Sequence, residues 1–178
     1  MSKYAYGTQH HSDLIVQLVK SVNCTSYLEL GIYDGSTLAR VGQIVPRVIG
    51  VDIKDLRINK NIGEFHLSTT QDFLKSFHDK VDVIFIDADH SFESVKEDFK
   101  ASLKNLNEFG IIILHDTDPI SEKYLDKGYC GDSYKMIDWL KQEYPDMDVF
   151  TFPVSEAGLT IIKRSNDRRV NKFLNNEK

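Results

Sequence analysis

The chain has 178 residues, 41% hydrophobic and 28% charged, a balance that fits one globular domain over residues 1–178 and excludes bulk disorder. Its formal charge of −5 and pI near 5.7 argue against a nucleic-acid binder that works through a broad basic face. No apolar run nears the ~20 residues of a membrane span, and the polar residues 1–11 lack the apolar core of an export signal, so a cytoplasmic protein touching neither nucleic acid nor membrane is expected.

Cys24 and Cys130 are the only cysteines, too few for a disulfide framework, and are expected as reduced thiols. Residues 12–22 place Leu14, Ile15, Leu18, Val19 and Val22 on one helical face. Residues 27–32 read as a short strand ending in a glycine-containing turn, and 36–43 as the next helix. Residues 47–53 form a nearly continuous apolar run, the mark of a strand buried on both faces. Residues 63–68 read as a third strand and 70–78 as a helix.

Residues 81–87 give the strongest strand. After it, Phe92, Val95, Phe99, Leu103 and Leu106 step by three or four, an amphipathic helix with Ser91 as N-cap. Residues 111–114 read as a fifth strand. Residues 118–132, with Pro119, Gly128 and Gly131, read as a loop, and 133–144 as a helix. Residues 149–153 and 159–163 are two strands too close in sequence for anything but a hairpin. Residues 163–178 carry six Lys or Arg against two acids and read as a solvated C-terminal helix. The expected fold is five β-then-α units and a terminal antiparallel hairpin, an α/β fold of three layers.

In such a sheet the ligand lies beyond the carboxyl ends of the strands. Glu29-Leu-Gly31-Ile-Tyr33-Asp-Gly35-Ser-Thr37 puts two glycines between a strand and a helix, where the backbone can approach a ligand closely. Its spacing is not G-x-G-x-x-G, which argues against a nicotinamide-dependent oxidoreductase. Asp52, closing the second strand, is placed to accept hydrogen bonds from a ribose. Asp87-Ala-Asp89-His90 ends the fourth strand with oxygen ligands suited to a hard cation and an imidazole suited to general-base work. His115-Asp116 follows the fifth strand, so Asp116 is expected to face Asp87 across one crevice.

Glu29-Leu-Gly31-x-Tyr33-x-Gly35, Asp52, Ile86-Asp87-Ala-Asp89-His90-Ser91 and Ile113-Leu-His115-Asp116-Thr117 together resemble class I S-adenosylmethionine-dependent methyltransferases. The nearer resemblance is to small bacterial O-methyltransferases of the macrolide-sugar, cephalosporin-pathway and catechol-type group, over residues 10–164. It implies a three-layer Rossmann-like methyltransferase fold, with a mostly parallel seven-stranded sheet and one antiparallel strand. It implies S-adenosylmethionine as cofactor, held by Glu29, Gly31, Gly35, Thr37, Asp52, Thr70, Gln71 and Asp87. It also implies His90 as catalytic base, and Mg²⁺ at Asp87, His115 and Asp116. The acceptor implied is a small hydroxylated molecule such as a sugar or glycan, with the N-terminal segment and the 118–132 loop, including Tyr124 and Tyr129, shaping its choice. A non-catalytic cofactor-binding protein on this fold is the remaining alternative, and assembly into a homo-oligomer is left open.

Overall fold

The computed structural model describes residues 10–165; the basic segment after residue 165 and the first nine residues lie outside them. The elements run α1 (His11–Ser21), β1 (Ser26–Leu30), α2 (Ser36–Val41), β2 (Arg47–Asp52), β3 (Glu64–Leu67), α3 (Thr70–Ser76), β4 (Val81–Ile86), α4 (Phe92–Ser102), β5 (Leu106–His115), α5 (Met136–Glu143), β6 (Met147–Phe152) and β7 (Leu159–Arg164). All seven strands form one sheet in the order β3-β2-β1-β4-β5-β7-β6. Only β7 runs antiparallel to its neighbours, pairing with β5 and β6. The seven strands and the single antiparallel one are as expected.

Alternation along the strands divides the core in two. Leu28, Leu30, Ile84 and Ile112 pack under α3, α4 and α5 with Phe73, Phe99 and Leu140. Tyr27, Val83, Phe85 and Ile113 pack on the opposite face with Ile15 and Val19 of α1 and Leu38 and Val41 of α2. The central strands are buried on both faces, which is why their sequences read as apolar runs rather than alternating ones.

Three details depart from the sequence expectation. Only β1, β3, β4 and β5 are followed by helices; β2 reaches its parallel neighbour β3 through residues 53–63, which form no helix. Arg57 organises that connection, its guanidinium 3.9 Å from the Phe65 ring centroid and 2.9 Å from Asp55. β5 begins at Leu106, earlier than expected, because Leu106 pairs with Val81 before a register shift brings Ile111 opposite Val83. Residues 133–135 form a 3₁₀ turn ahead of α5, and another 3₁₀ turn, Glu122–Leu125, lies within the expected 118–132 loop. Cys24 and Cys130 are both buried and free. Among the described residues no helix is long and apolar enough to cross a membrane.

Candidate active site

Strand order reverses between β1 and β4, so the connections leaving those strands diverge and open a crevice at their carboxyl ends. A cavity of about 810 Å³ lies there, in the size range of small-molecule sites. One wall is the turn after β1. Gly31 has φ +83°, and a Cβ on it would stand 2.3 Å from the carbonyl oxygen of Asp87. Glycine alone lets the first and fourth strand ends meet this closely. Tyr33 follows in the left-handed region at φ +48°, with its side chain exposed.

Asp52 fixes this turn. Its Oδ2 accepts the N–H groups of Ile32 and Tyr33 at 3.0 and 2.9 Å, and its Oδ1 accepts that of Lys54 at 2.9 Å. Oδ1 has capacity for a further donor. Beyond it, Ile53 and Leu56 give the cavity an apolar side, and residues 68–71 a polar one. Thr70 Oγ1 and Gln71 Nε2 donate to Asp98 Oδ1 of α4 at 2.7 and 3.0 Å. Burial raises the Asp98 pKa to about 6, against the Thr70 hydroxyl, which lowers it, and with smaller upward pushes from Asp89 and Glu97.

The other end of the cavity is a cluster of two carboxylates and two imidazoles. His115 Nδ1 lies 3.0 Å from Asp87 Oδ1 and 3.4 Å from Asp116 Oδ1. Burial works to lower the His115 pKa, but Asp87 and Asp116 outweigh it and hold it at about 10, while the His115 Nε2 is buried without a hydrogen-bond partner. Burial likewise opposes charge on Asp116, yet its contacts with His115, and the nearby His90, keep its pKa below the ordinary carboxylate value. The His11 ring meets that of His115 at a tilt of 58°, with centroids 4.3 Å apart, and reaches the Thr37 hydroxyl at 3.3 Å. Burial, then the charge of His115, pushes the His11 pKa down to about 3, so His11 is neutral.

His90 Nδ1 bonds the carbonyl oxygen of Tyr129. A carbonyl can only accept, so Nδ1 carries the proton and Nε2 is left with a lone pair. Nε2 stands 3.2 Å from Asp116 Oδ2 and 4.0 Å from Asp87 Oδ1. A lone pair on Nε2 facing a carboxylate oxygen at this distance leaves the pair able to take up a proton or a metal ion between them.

A clamp from the 118–132 loop and the turn after it holds the His90 backbone as well. Its carbonyl accepts from the N–H of Asp132 at 3.1 Å and the hydroxyl of Ser133 at 3.0 Å, while Asp132 Oδ1 accepts the Phe92 N–H at 2.6 Å. Gly131 makes this approach possible: its φ is +54°, and a Cβ would lie 2.3 Å from the His90 carbonyl oxygen.

Of the residues expected to hold a cofactor, Gly31, Asp52, Thr70, Gln71 and Asp87 line the cavity. Glu29, Gly35 and Thr37 do not. Glu29 is buried on the sheet, accepting the Tyr27 hydroxyl at 2.8 Å, with burial pushing its pKa well up. Gly35 caps α2 at φ +74°, and Thr37 is buried against His11. The ligand atoms that converge for a cation are those of Asp87, His90 and Asp116, all within 4.8 Å of one another. His115, also expected as a ligand, lines the same cavity with its Nδ1 3.0 Å from Asp87 Oδ1. Tyr124 and Tyr129 do line the cavity. His11, Asp98 and the 129–133 clamp had no local sequence signal, because their partners lie at least 26 residues away.

A family model described as a methyltransferase domain matches residues 28–117. The O-methyltransferase from Bacillus cereus, solved with SAH, superposes with a TM-score of 0.67 at 16% identity, covering 91% of this chain and 84% of that one. The SAH-bound methyltransferase PaMTH1 of Podospora anserina gives a TM-score of 0.71 at 17% identity over 92% and 83% of the two chains. The O-methyltransferase TomG of Streptomyces achromogenes, solved with SAM, gives 0.67 at 15% over 87% and 79%. At these identities the likeness is one of fold. Uncharacterized protein R132 of Acanthamoeba polyphaga mimivirus is 27% identical over a match covering 51% of each chain, so the chain spans about half the length of this curated relative.

Proposed function

The chain belongs to the methyltransferase domain family, and on that premise we propose that it transfers a methyl group from S-adenosylmethionine to a hydroxyl oxygen of a small, sugar-like or otherwise hydroxylated acceptor. The cofactor supplies an electrophilic methyl on a sulfonium: the acceptor's O–C bond forms as the S–C bond breaks, and the electron pair stays on sulfur as a thioether. The remaining work is binding, alignment and proton removal. Gly31 provides close backbone approach, Asp52 a carboxylate for the ribose, and the Thr70–Gln71 pair a polar border for the base.

His90 removes the acceptor's proton. Its Nδ1–H is committed to the Tyr129 carbonyl, so Nε2 is the atom available to take it. Asp116, kept ionised, then faces the imidazolium that forms. The observation that carries this reading is the His90–Asp116 pair lining the same cavity as Gly31 and Asp52.

Calorimetry with S-adenosylhomocysteine, followed by a screen of hydroxylated acceptors for S-adenosylhomocysteine release, tests it; absence of cofactor binding refutes it.

The convergence of Asp87, His90 and Asp116 supports a second reading, in which these three hold a divalent ion. The donors fit such an ion, though one imidazole with two carboxylates suits Mn²⁺ or Zn²⁺ better than Mg²⁺. A bound ion would lower the pKa of the acceptor hydroxyl, and His90 would serve as a ligand and not as the base. Chelation separates the two: turnover that survives EDTA assigns proton removal to His90, whereas turnover lost in EDTA and restored by Mn²⁺ assigns it to the ion.

A further inference from the structure

Of the three acids of α4, Glu93, Glu97 and Asp98, only Asp98 is buried, at 2% exposure. It lies one helical turn after Ser94, which lines the cavity, but is not itself among the lining residues. Among the described residues no cation faces it; the charged groups that act on it are Asp89 and Glu97, both of like sign. An acid buried in this way costs stability that an amide or an apolar side chain would not. Its place behind the cavity wall gives it a use.

Asp98 Oδ1 accepts from the Thr70 hydroxyl at 2.7 Å and from Gln71 Nε2 at 3.0 Å, and both of these residues line the cavity. A carboxylate accepts and does not donate, so each side chain must turn its donor toward α4. A free amide can offer either end to a ligand, and a free hydroxyl can rotate. Held by Asp98, neither does so. What Thr70 and Gln71 keep for a ligand is acceptor capacity: the hydroxyl lone pairs and the amide oxygen Oε1. A ring edge with an exocyclic amino group can donate to that oxygen. An edge with a keto oxygen sets lone pair against lone pair.

We propose that Asp98 is a positioning residue for the cofactor's base: by holding the Gln71 amide with its nitrogen toward α4, it makes the wall select an amino purine over a keto purine. The proposal rests on the methyl-transfer reading for the presence of that purine. Asp98 touches no ligand and acts through Gln71 and Thr70.

Calorimetry compares S-adenosylhomocysteine with S-inosylhomocysteine, in which a keto oxygen replaces the amino group of the base. The wild type is expected to bind the amino ligand about tenfold tighter. Asp98→Ala frees the amide to turn and should bring the two ligands within about twofold of each other. Asp98→Asn keeps an oxygen for both donors and should retain the wild-type preference. A merely structural role would weaken both ligands alike and leave their ratio unchanged. A second readout does not depend on the folding of Asp98→Ala: the Gln71 side-chain amide protons, followed by NMR, should move upfield in Asp98→Asn as their acceptor loses its charge. No preference in the wild type, a preference that survives Asp98→Ala, one that is lost in Asp98→Asn, or Gln71 amide signals unmoved by Asp98→Asn overturns the proposal. Each of these outcomes leaves S-adenosylhomocysteine bound to the wild type and the methyl-transfer reading intact, whereas a wild-type protein that binds neither ligand overturns both.

Discussion

Asp52 joins two tasks in one carboxylate. It ties the turn after β1 to the end of β2 through three backbone N–H groups, and it lines the cavity that the turn shapes. Asp52→Ala therefore removes the carboxylate proposed to hold the ribose and also frees Ile32 and Tyr33 to move. S-adenosylhomocysteine affinity should fall by about 1–3 kcal/mol, the scale of hydrogen bonds to a charged group, read by calorimetry. His90→Ala should leave that affinity nearly unchanged and lower kcat by about 10²–10⁴-fold, the usual worth of a general base. Turnover at the wild-type level in a folded His90→Ala protein would move proton removal elsewhere. Asp52, Asp87, His90 and Asp116 were all legible as candidates, because buried apolar runs mark where each strand stops and chemistry begins. The division of labour between the two imidazoles was not. The orientation of the His90 ring depends on the Tyr129 carbonyl, 39 residues from it.

At the scale of elements, the 118–132 stretch shows why a loop with no periodicity can still be specific. Pro119, Gly128 and Gly131 announce a break in regular structure but not its shape. The two glycines are not equivalent. A Cβ at Gly128 would meet only the flexible Asp126 carboxylate, at 3.4 Å, whereas one at Gly131 would strike the His90 backbone from a left-handed conformation. Gly131→Ala should therefore destabilise the fold by about 1–3 kcal/mol, and Gly128→Ala by a few tenths at most. The ¹⁵N signals of the His90 ring should report a loss of its single tautomer in the Gly131 variant alone. Paired melting curves and histidine NMR spectra decide this; equal behaviour of the two variants would show that the clamp does not position His90. The early start of β5 escaped sequence reading for a related reason. Asn107, Glu108 and Phe109 do not alternate, and Leu106 joins the strand only because Val81 is there to pair with it.

Over the whole molecule, the parallel sheet followed from the alternation of strand and helix patterns, and the antiparallel β7 from a connection too short to cross over. What patterning does not convey is the electrostatic state of the interior, since that depends on what tertiary packing brings around each acid. Asp98 lies on the inward face of α4, buried, with its Oδ1 accepting from Thr70 and Gln71 of the cavity wall. Because burial raises its pKa to about 6, the native state holds its proton more tightly than the unfolded chain, where a carboxyl titrates near about 4. Between about pH 4 and pH 6 the folded protein therefore binds more protons, and its stability falls as pH rises through that window. The contribution is complete below about pH 4 and lost above about pH 6. Asp98→Asn keeps an oxygen for both donors and removes the buried charge. It should match the wild type near pH 4 and exceed it at pH 7.5 by about 2 kcal/mol, or roughly 4–8 °C in Tm. S-adenosylhomocysteine affinity should be preserved, because Thr70 and Gln71 stay anchored. Melting curves at the two pH values settle the matter: an Asp98→Asn protein no more stable than the wild type at pH 7.5 would mean that the ionised carboxylate is solvated in the native protein or is balanced by its two donors.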